Sequence, residues 1–176
     1  ATKQRYSREK ERIARYAAGL VGEDDVVFLD TGTTMLHLAD HLKGSKALFV
    51  TSSIDLAGRL TAHSLHVYVL GGALKLGTVD IVGAEALDAL RRYNFTKVFL
   101  GTSGVSVSQG FTTPDPEAAA LKALAASRAQ SVYMLADSSK FGRVTAATIL
   151  PLDAAQIITD RLPDRKYLDS TDIIAV

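Results

Sequence analysis

The 176-residue sequence contains no cysteine. This absence excludes a disulfide scaffold, a thiolate metal site and a cysteine nucleophile. No apolar run approaches the ~20 residues that a membrane helix needs, and the first residues lack the hydrophobic core of a signal peptide. Apolar residues make up 47% and charged residues 22%, as in an ordinary globular domain. We therefore expect a soluble, cytoplasmic protein.

Net positive charge is confined to the first 16 residues. Residues 1–16 carry a formal charge of +4, whereas the remaining 160 residues carry −3. A body of that sign is a poor binder of DNA by itself, because non-specific affinity comes from cations that neutralise phosphates. The sequence begins with alanine, as expected of a chain processed or cut from something longer. We predict a linker over residues 1–8 and a single domain over residues 9–176.

Short apolar runs rich in β-branched residues alternate with amphipathic segments. The runs at 26–30, 47–51, 154–160 and 172–176 predict strands, as do 66–72, which ends in two glycines, 97–104, a strand and turn, and 131–140, a strand running into a loop. The segments at 9–21, 35–42, 53–63, 82–93 and 116–129 predict helices. Ser53 is a possible helix cap, and Pro114 and Asp115 are expected to open the last helix. Such alternation predicts an α/β fold, with a mostly parallel sheet covered by helices on both faces.

Small and polar residues follow the first five predicted strands. They include Asp30, Gly32, Thr33, Thr34, Thr51, Ser52, Ser53, Gly71, Gly72, Thr102, Asp137, Ser139 and Lys140. Because ligands of open α/β sheets bind beyond the carboxyl ends of the strands, we expect these groups to converge on one rim if their strands are adjacent.

The segment 30–34, with the sequence DTGTT, is the sharpest of these signals. Gly32 allows close approach of a ligand, and Thr33 and Thr34 supply hydroxyl groups at the start of a helix. Unpaired N–H groups at a helix start favour an anion, typically phosphate. The segment matches neither the Walker nor the dinucleotide-binding pattern. A capped turn without a ligand is an equally good interpretation of this segment alone.

Three charged residues of the predicted rim have both a functional and a plain interpretation. Lys140 could pair with a phosphate or be an exposed lysine. Asp30 and Asp137 could accept hydrogen bonds from sugar hydroxyls or only cap turns. On the last long helix, Lys122 could reach the same rim or be solvated.

Two other patterns could indicate chemistry. Glu117, beside Asp115, could be a general base, although acids also favour the first turn of a helix. His37 and His41 have the i,i+4 spacing of two histidines that bind one metal ion from a helix, but no third ligand is evident. We expect no metal and no cofactor.

Five motifs in order resemble the sensor domain of DeoR-type bacterial transcriptional repressors, over roughly residues 8–176. They are EKERIARYAAGLVGEDDVVFLDTGTT, LFVTSS, YVLGGALKLGTVDIVGAEALDAL, FLGTSGVSVSQGFTTPDPEAAALK and LADSSKFG. Each motif alone is weak, but their common order is a strong signal.

This resemblance implies a fold similar to that of ribose-5-phosphate isomerase and CoA transferases. It implies a sensor that binds a phosphorylated sugar or related metabolite, usually in an oligomer. Operator DNA would be bound only by an N-terminal winged helix-turn-helix module, for which residues 1–8 would be the linker. The expected function is therefore that of an effector-binding domain of a repressor of carbohydrate catabolism.

The resemblance also assigns ligand-binding positions. Asp30, Gly32, Thr33, Thr34, Thr51, Ser52, Ser53, Gly71, Gly72, Asp137, Ser139 and Lys140 fall on the family's motifs, and we add Thr102 and Lys122 as further candidates. Ser52 stands where the family often has asparagine, so one amide contact is in doubt.

A sugar-phosphate isomerase is the enzymatic alternative. The acid-rich D-G-A-D loop of the isomerases aligns best with residues 101–105, here GTSGV, and their catalytic glutamate falls close to Lys122. Proton transfer between sugar carbons needs a carboxylate at the right place, and Glu117 could supply it only if the helix register shifts. The pattern favours a binder, and an assembly module without a ligand is a third possibility.

Overall fold

The computed structural model describes residues 6–176, and a seven-stranded sheet forms its centre. The strands are β1 (Val26–Leu29), β2 (Leu48–Thr51), β3 (His66–Val69), β6 (Phe95–Gly101), β9 (Ala129–Leu135), β11 (Gln156–Thr159) and β12 (Ile173–Ala175). All neighbouring pairs are parallel. This confirms the predicted α/β fold with a mostly parallel sheet.

Helices cover both faces of this sheet. They are α1 (Ser7–Ala18), α2 (Thr33–Asp40), α3 (Ile54–Ala62), α4 (Ala84–Leu90), α5 (Pro116–Ser127) and the short α6 (Arg165–Leu168). Their starts follow from local chemistry: the Ser53 hydroxyl accepts from Leu56 N, and Asp115 caps α5 ahead of Pro116. The helix starts predicted at Ser53 and Asp115 are thus confirmed.

Two apolar clusters lie on opposite faces of the sheet. One unites α1, α2 and α3 with residues such as Val27 and Phe49, and the other unites α4 and α5 with residues such as Phe28 and Val98. Val27 and Phe28 are adjacent and point to opposite faces, as strand geometry requires. Burial on both faces explains why the strands appear in the sequence as continuous apolar runs.

The order in which successive strands are added to the sheet reverses between β1 and β6. The strand order is β12-β11-β9-β6-β1-β2-β3, so the chain moves outward from β1 to β3 and then returns to lie beside β1. Loops that follow β1 and β6 diverge at such a switch point and leave a crevice at the carboxyl ends of the strands.

Two small sheets were not predicted. One pairs β4 (Ala73–Leu74) with β5 (Ile81–Val82), and the other contains β7 (Gly104–Ser106), β8 (Gly110–Thr113) and β10 (Ala147–Leu150). Their strands are only two to four residues long, so periodicity carries little signal. We refer to residues 73–82 as the arm.

The predicted helices and strands all exist, with bounds shifted by a few residues. Helix α1 begins at Ser7, two residues before the predicted start. Most of the predicted linker, residues 1–5, lies outside the described residues, and the domain boundary remains a prediction. Within residues 6–176, no helix has the length and apolar character needed to cross a bilayer.

Candidate functional site

A cavity of about 430 Å³ opens at the switch point. Its walls come from the loops after β1 and β6, the first turn of α2, helix α5, the arm and the segment after β9. The sheet topology therefore brings together residues that lie more than 100 positions apart in sequence.

A buried ion pair forms the base of the cavity. Asp30 and Lys122 are only 2% and 8% exposed, and the Lys122 ammonium contacts Asp30 Oδ2. The pair also ties β1 to β6: Gly101 N donates to Asp30 Oδ2 (2.9 Å), and Lys122 Nζ donates to Gly101 O (3.1 Å). Each buried charge thus has charged and backbone partners, as burial requires.

The first turn of α2 forms a second part of the wall. Gly32 precedes this helix with φ 117°, a conformation that side-chain-bearing residues rarely adopt. Within residues 6–176 no side chain caps the helix, so its first N–H groups are available to a ligand beside the Thr33 and Thr34 hydroxyls. This geometry suits an anion.

Four lysines line the cavity, and they fall into two classes. Lys122 is paired with Asp30, and Lys75 Nζ lies 2.5 Å from Asp115 Oδ2. Lys10 and Lys140 make no ion pair within residues 6–176; Lys10 Nζ instead donates to the Thr33 hydroxyl (3.1 Å). These two cations are the ones available to a bound anion.

The arm closes the opposite side of the cavity. Ile54 N donates to Val79 O (2.9 Å) and Ile81 N to Ser52 O (2.8 Å), which fixes the arm beside β2. Lys75 then reaches Asp115, the cap of α5, and this hydrogen bond lowers the pKa of Asp115 and raises that of Lys75. By contrast, burial and the negative charge of Asp30 raise the pKa of Asp80.

Nine of the fourteen predicted ligand-binding residues line this cavity. They are Asp30, Gly32, Thr33, Thr34, Ser52, Thr102, Lys122, Asp137 and Lys140. Within this set, Asp137 also caps the turn Ser138–Lys140 by accepting from Ser139 N (2.9 Å), and the Thr102 hydroxyl donates to Gly104 O and Thr112 O (both 2.9 Å). Ser52 is 1% exposed.

The structure does not place the other five at the cavity. The Thr51 hydroxyl accepts from Ser53 N (3.1 Å), and the Ser53 hydroxyl caps α3. Ser139 Oγ contacts Asp137. Gly71 is exposed, and at Gly72 a Cβ would come within 3.0 Å of Ile81, so that glycine serves the packing of the arm.

The histidine pair and Glu117 also lie away from the cavity lining. His37 Nδ1 lies 2.9 Å from Glu11 Oε2, and His41 contacts the other oxygen of Glu11. The i,i+4 spacing thus places both rings against one carboxylate of α1. In the part of the chain that the structure describes, no group of three His, Cys, Asp or Glu residues has the arrangement of a metal site.

Four charged residues that line the cavity were not predicted from the sequence to bind a ligand. Asp115 was expected only to open a helix, and Lys75, Asp80 and Lys10 were not considered. All four residues lie inside motifs that carry the family resemblance, so the signal was present. Lys10 lies on a helix that precedes the first strand. The expectation that ligands bind beyond the carboxyl ends of the strands concerns only residues that follow a strand, so it does not identify Lys10.

A family model described as the DeoR C terminal sensor domain matches residues 5–161. The chain belongs to the DeoR sensor-domain family. The expected resemblance is thereby confirmed.

Similar curated proteins are named as transcriptional regulators. The chain is 41% identical to the uncharacterized HTH-type transcriptional regulator FruR of Bacillus subtilis, over 86% of this chain and 61% of that protein. It is 33% identical to the HTH-type transcriptional repressor GlcR of the same organism, over 94% and 65%. It is 31% identical to the lactose phosphotransferase system repressor of Streptococcus mutans, over 90% and 64%. The chain thus spans a little under two thirds of the length of these relatives.

Solved structures with the same fold are more distant. Ribose 5-phosphate isomerase A from Neisseria gonorrhoeae aligns with a TM-score of 0.56 and 18% identity, over 75% of this chain and 52% of that one. The eIF2B delta protein from Chaetomium thermophilum aligns with a TM-score of 0.59 and 17% identity, over 80% and 50%. These likenesses bear on the fold. Family membership places the DeoR-type sensor domain among regulators and not among isomerase enzymes.

Proposed function

We propose that the cavity binds a phosphorylated sugar or a related phosphorylated metabolite. In a longer protein that contains this domain, binding of the ligand would alter the operator affinity of a helix-turn-helix module joined through residues 1–8. The main support for this proposal is that Lys10 and Lys140 line the same cavity as the uncapped first turn of α2. Neither lysine has an ion pair in residues 6–176. Such a sensor would work in the cytoplasm, as a homo-oligomer.

Each end of such a ligand has a chemical counterpart in the cavity. The phosphate suits the Thr33–Thr34 turn and the free ammonium groups, because charge-assisted hydrogen bonds are the stronger kind. Sugar hydroxyls suit acceptors and donors such as Asp80, Asp137 and Ser52, which also line the cavity. The relative named as the lactose phosphotransferase system repressor supports a carbohydrate ligand.

Melting temperatures with paired ligands test this function. The chain would be heated with inorganic phosphate, with triose to hexose phosphates, and with the unphosphorylated sugars. A ligand that binds only the folded state raises the melting temperature by mass action. We expect a shift with at least one phosphorylated sugar, none with its free form, and an unchanged NMR spectrum of the ligand after incubation. Conversion of the ligand would contradict a pure sensor, and the absence of any shift would contradict the phosphate site.

Lys140→Ala examines the cation in that site. Removal of a free ammonium group should weaken the phosphorylated ligand about tenfold, which corresponds to about 1.4 kcal/mol. Lys43→Ala removes an exposed lysine outside the cavity and is the matched control. Isothermal titration of both variants measures the affinity, and equal affinities would remove Lys140 from the site.

A further inference from the structure

Helix α1 reaches into the cavity through one side chain. Within residues 6–176, Lys10 is the residue that α1 contributes to the lining, and its Nζ donates to Thr33 Oγ1 (3.1 Å). Thr33 is the first residue of α2 and belongs to the turn that suits an anion. The helix that begins the described chain therefore touches the cavity at its anion-binding end.

The rest of α1 is held on the domain by other contacts. Ile13, Ala14 and Ala17 are buried against the cluster that contains α2, and Glu11 pairs with His37 (2.9 Å) and His41. None of these contacts involves the cavity. In the first turn, Ser7 and Arg8 are exposed, so Lys10 is the link from that turn to the cavity.

We propose that Lys10 is a ligand of the effector's phosphate, and that its capture fixes the first turn of α1. This inference rests on the proposed function, because it needs a phosphorylated molecule in the cavity. The Thr33 hydroxyl is a neutral acceptor, whereas a phosphate oxygen is charged and accepts a stronger bond from an ammonium group. A phosphate on the α2 turn therefore draws Lys10 Nζ from the hydroxyl onto the ligand.

This contact gives the domain a direct route for a signal. The family is described as a C terminal sensor domain, so in a longer member the remaining protein precedes α1. A ligand that changes the order of the first turn of α1 then changes the joint between sensor and operator-binding module. Coupling between two sites of a protein is typically 5–150-fold in affinity, and one charged contact on the joining helix can supply an effect of that size.

The test combines titration with hydrogen exchange on this chain. Wild type, Lys10→Met, Lys10→Arg and Arg15→Gln would be titrated with inorganic phosphate, ribose 5-phosphate, fructose 1-phosphate, glucose 6-phosphate and the free sugars. Arg15 is exposed on the same helix and serves as the matched control for lost charge. Exchange of the amides of residues 7–12 would be followed with and without saturating ligand.

We expect at least tenfold weaker binding of the phosphorylated ligand by Lys10→Met, with no ligand-dependent protection of residues 7–12 at saturation. Arg15→Gln should keep both the affinity and the protection, and Lys10→Arg, which keeps the positive charge, should bind the ligand more tightly than Lys10→Met. Lys10→Gln repeats the test if the methionine variant melts at a lower temperature without ligand.

The failures of the two proposals are distinguishable. If wild type binds a phosphorylated sugar and Lys10→Met binds it equally well, Lys10 is not a ligand, although the proposed function stands. If wild type binds but residues 7–12 show no protection, the link to α1 is wrong. If wild type binds no phosphorylated molecule, both proposals fail together.

Discussion

Two lysine–aspartate pairs line the same cavity and differ in burial. The Asp30 and Lys122 side chains lie beneath the switch point and are 3% and 10% exposed, whereas the Lys75 and Asp115 side chains, which join the arm to α5, are 40% and 22% exposed. A buried pair cannot open without leaving a charge unpaired in the interior. A pair that water reaches can open at little free-energy cost. The first pair therefore belongs to the framework of the site, and the second is a contact that a ligand can displace.

The largest expected effect comes from removing the lysine of each pair in turn. Lys122→Met leaves Asp30 charged and buried, so we expect a loss of about 3–5 kcal/mol of unfolding free energy. Lys75→Met removes the same group from a position in contact with water, and its melting temperature should stay close to that of wild type. Urea denaturation of both variants at neutral pH measures the difference.

A double variant separates lost pairing from lost packing in the buried pair. Asp30→Asn combined with Lys122→Met removes both charges, and the asparagine oxygen can still accept from Gly101 N. The double variant should be more stable than Lys122→Met alone, because no unpaired charge remains. Equal losses for Lys122→Met and Lys75→Met would show that burial does not distinguish the two pairs.

A smaller effect is expected at Asp115, which has two separable roles. Its carboxylate caps α5 by accepting from Glu117 N (3.0 Å) and also pairs with Lys75. Asp115→Ala removes both and should lower the unfolding free energy by about 1 kcal/mol, mostly through the cap. Asp115→Asn keeps a capping oxygen and should lose only a fraction of that. If the two variants lose the same amount in thermal denaturation, the ion pair and not the cap carries the stability.

The comparison also shows what the sequence could and could not predict. Asp30 could be predicted because it ends a clear apolar strand, and ligands of open α/β sheets bind beyond the carboxyl ends of the strands. Lys122 was a candidate only through its position on a helix, since nothing local to it indicates Asp30, 92 positions away. The seven parallel strands were predictable for the same reason as Asp30: burial on both faces leaves a continuous apolar signal.

The arm and α1 were not identified as parts of the site. The strands of the arm are two residues each, too short for a periodic pattern, and the exposed Leu76 between them gives no core signal. Lys10 lies on an amphipathic helix whose buried stripe predicts packing only. Residues that reach a site from outside the strand ends need the tertiary structure before they can be recognised.

The smallest expected effect concerns a carboxylate that neither pair neutralises. Burial, followed by the negative charge of Asp30, raises the pKa of Asp80, although Lys122 and Lys75 partly oppose this. The folded state therefore holds the proton of Asp80 more tightly than the unfolded state, so ionised Asp80 reduces stability at neutral pH.

Asp80→Asn should raise the melting temperature slightly at pH 7. Its advantage should shrink as the pH falls through the raised pKa, since the wild-type side chain then also becomes neutral. Asp153→Asn, at an exposed position outside the cavity, controls for the loss of one negative charge. Asp115 has the opposite sign: its hydrogen bond with Lys75 lowers its pKa, so its contribution persists above the ordinary pKa and is lost only on further acidification. If Asp80→Asn is no more stable than wild type at pH 7, the arm does not hold Asp80 against Asp30, and the acidic side of the cavity is more open to water than the structure indicates.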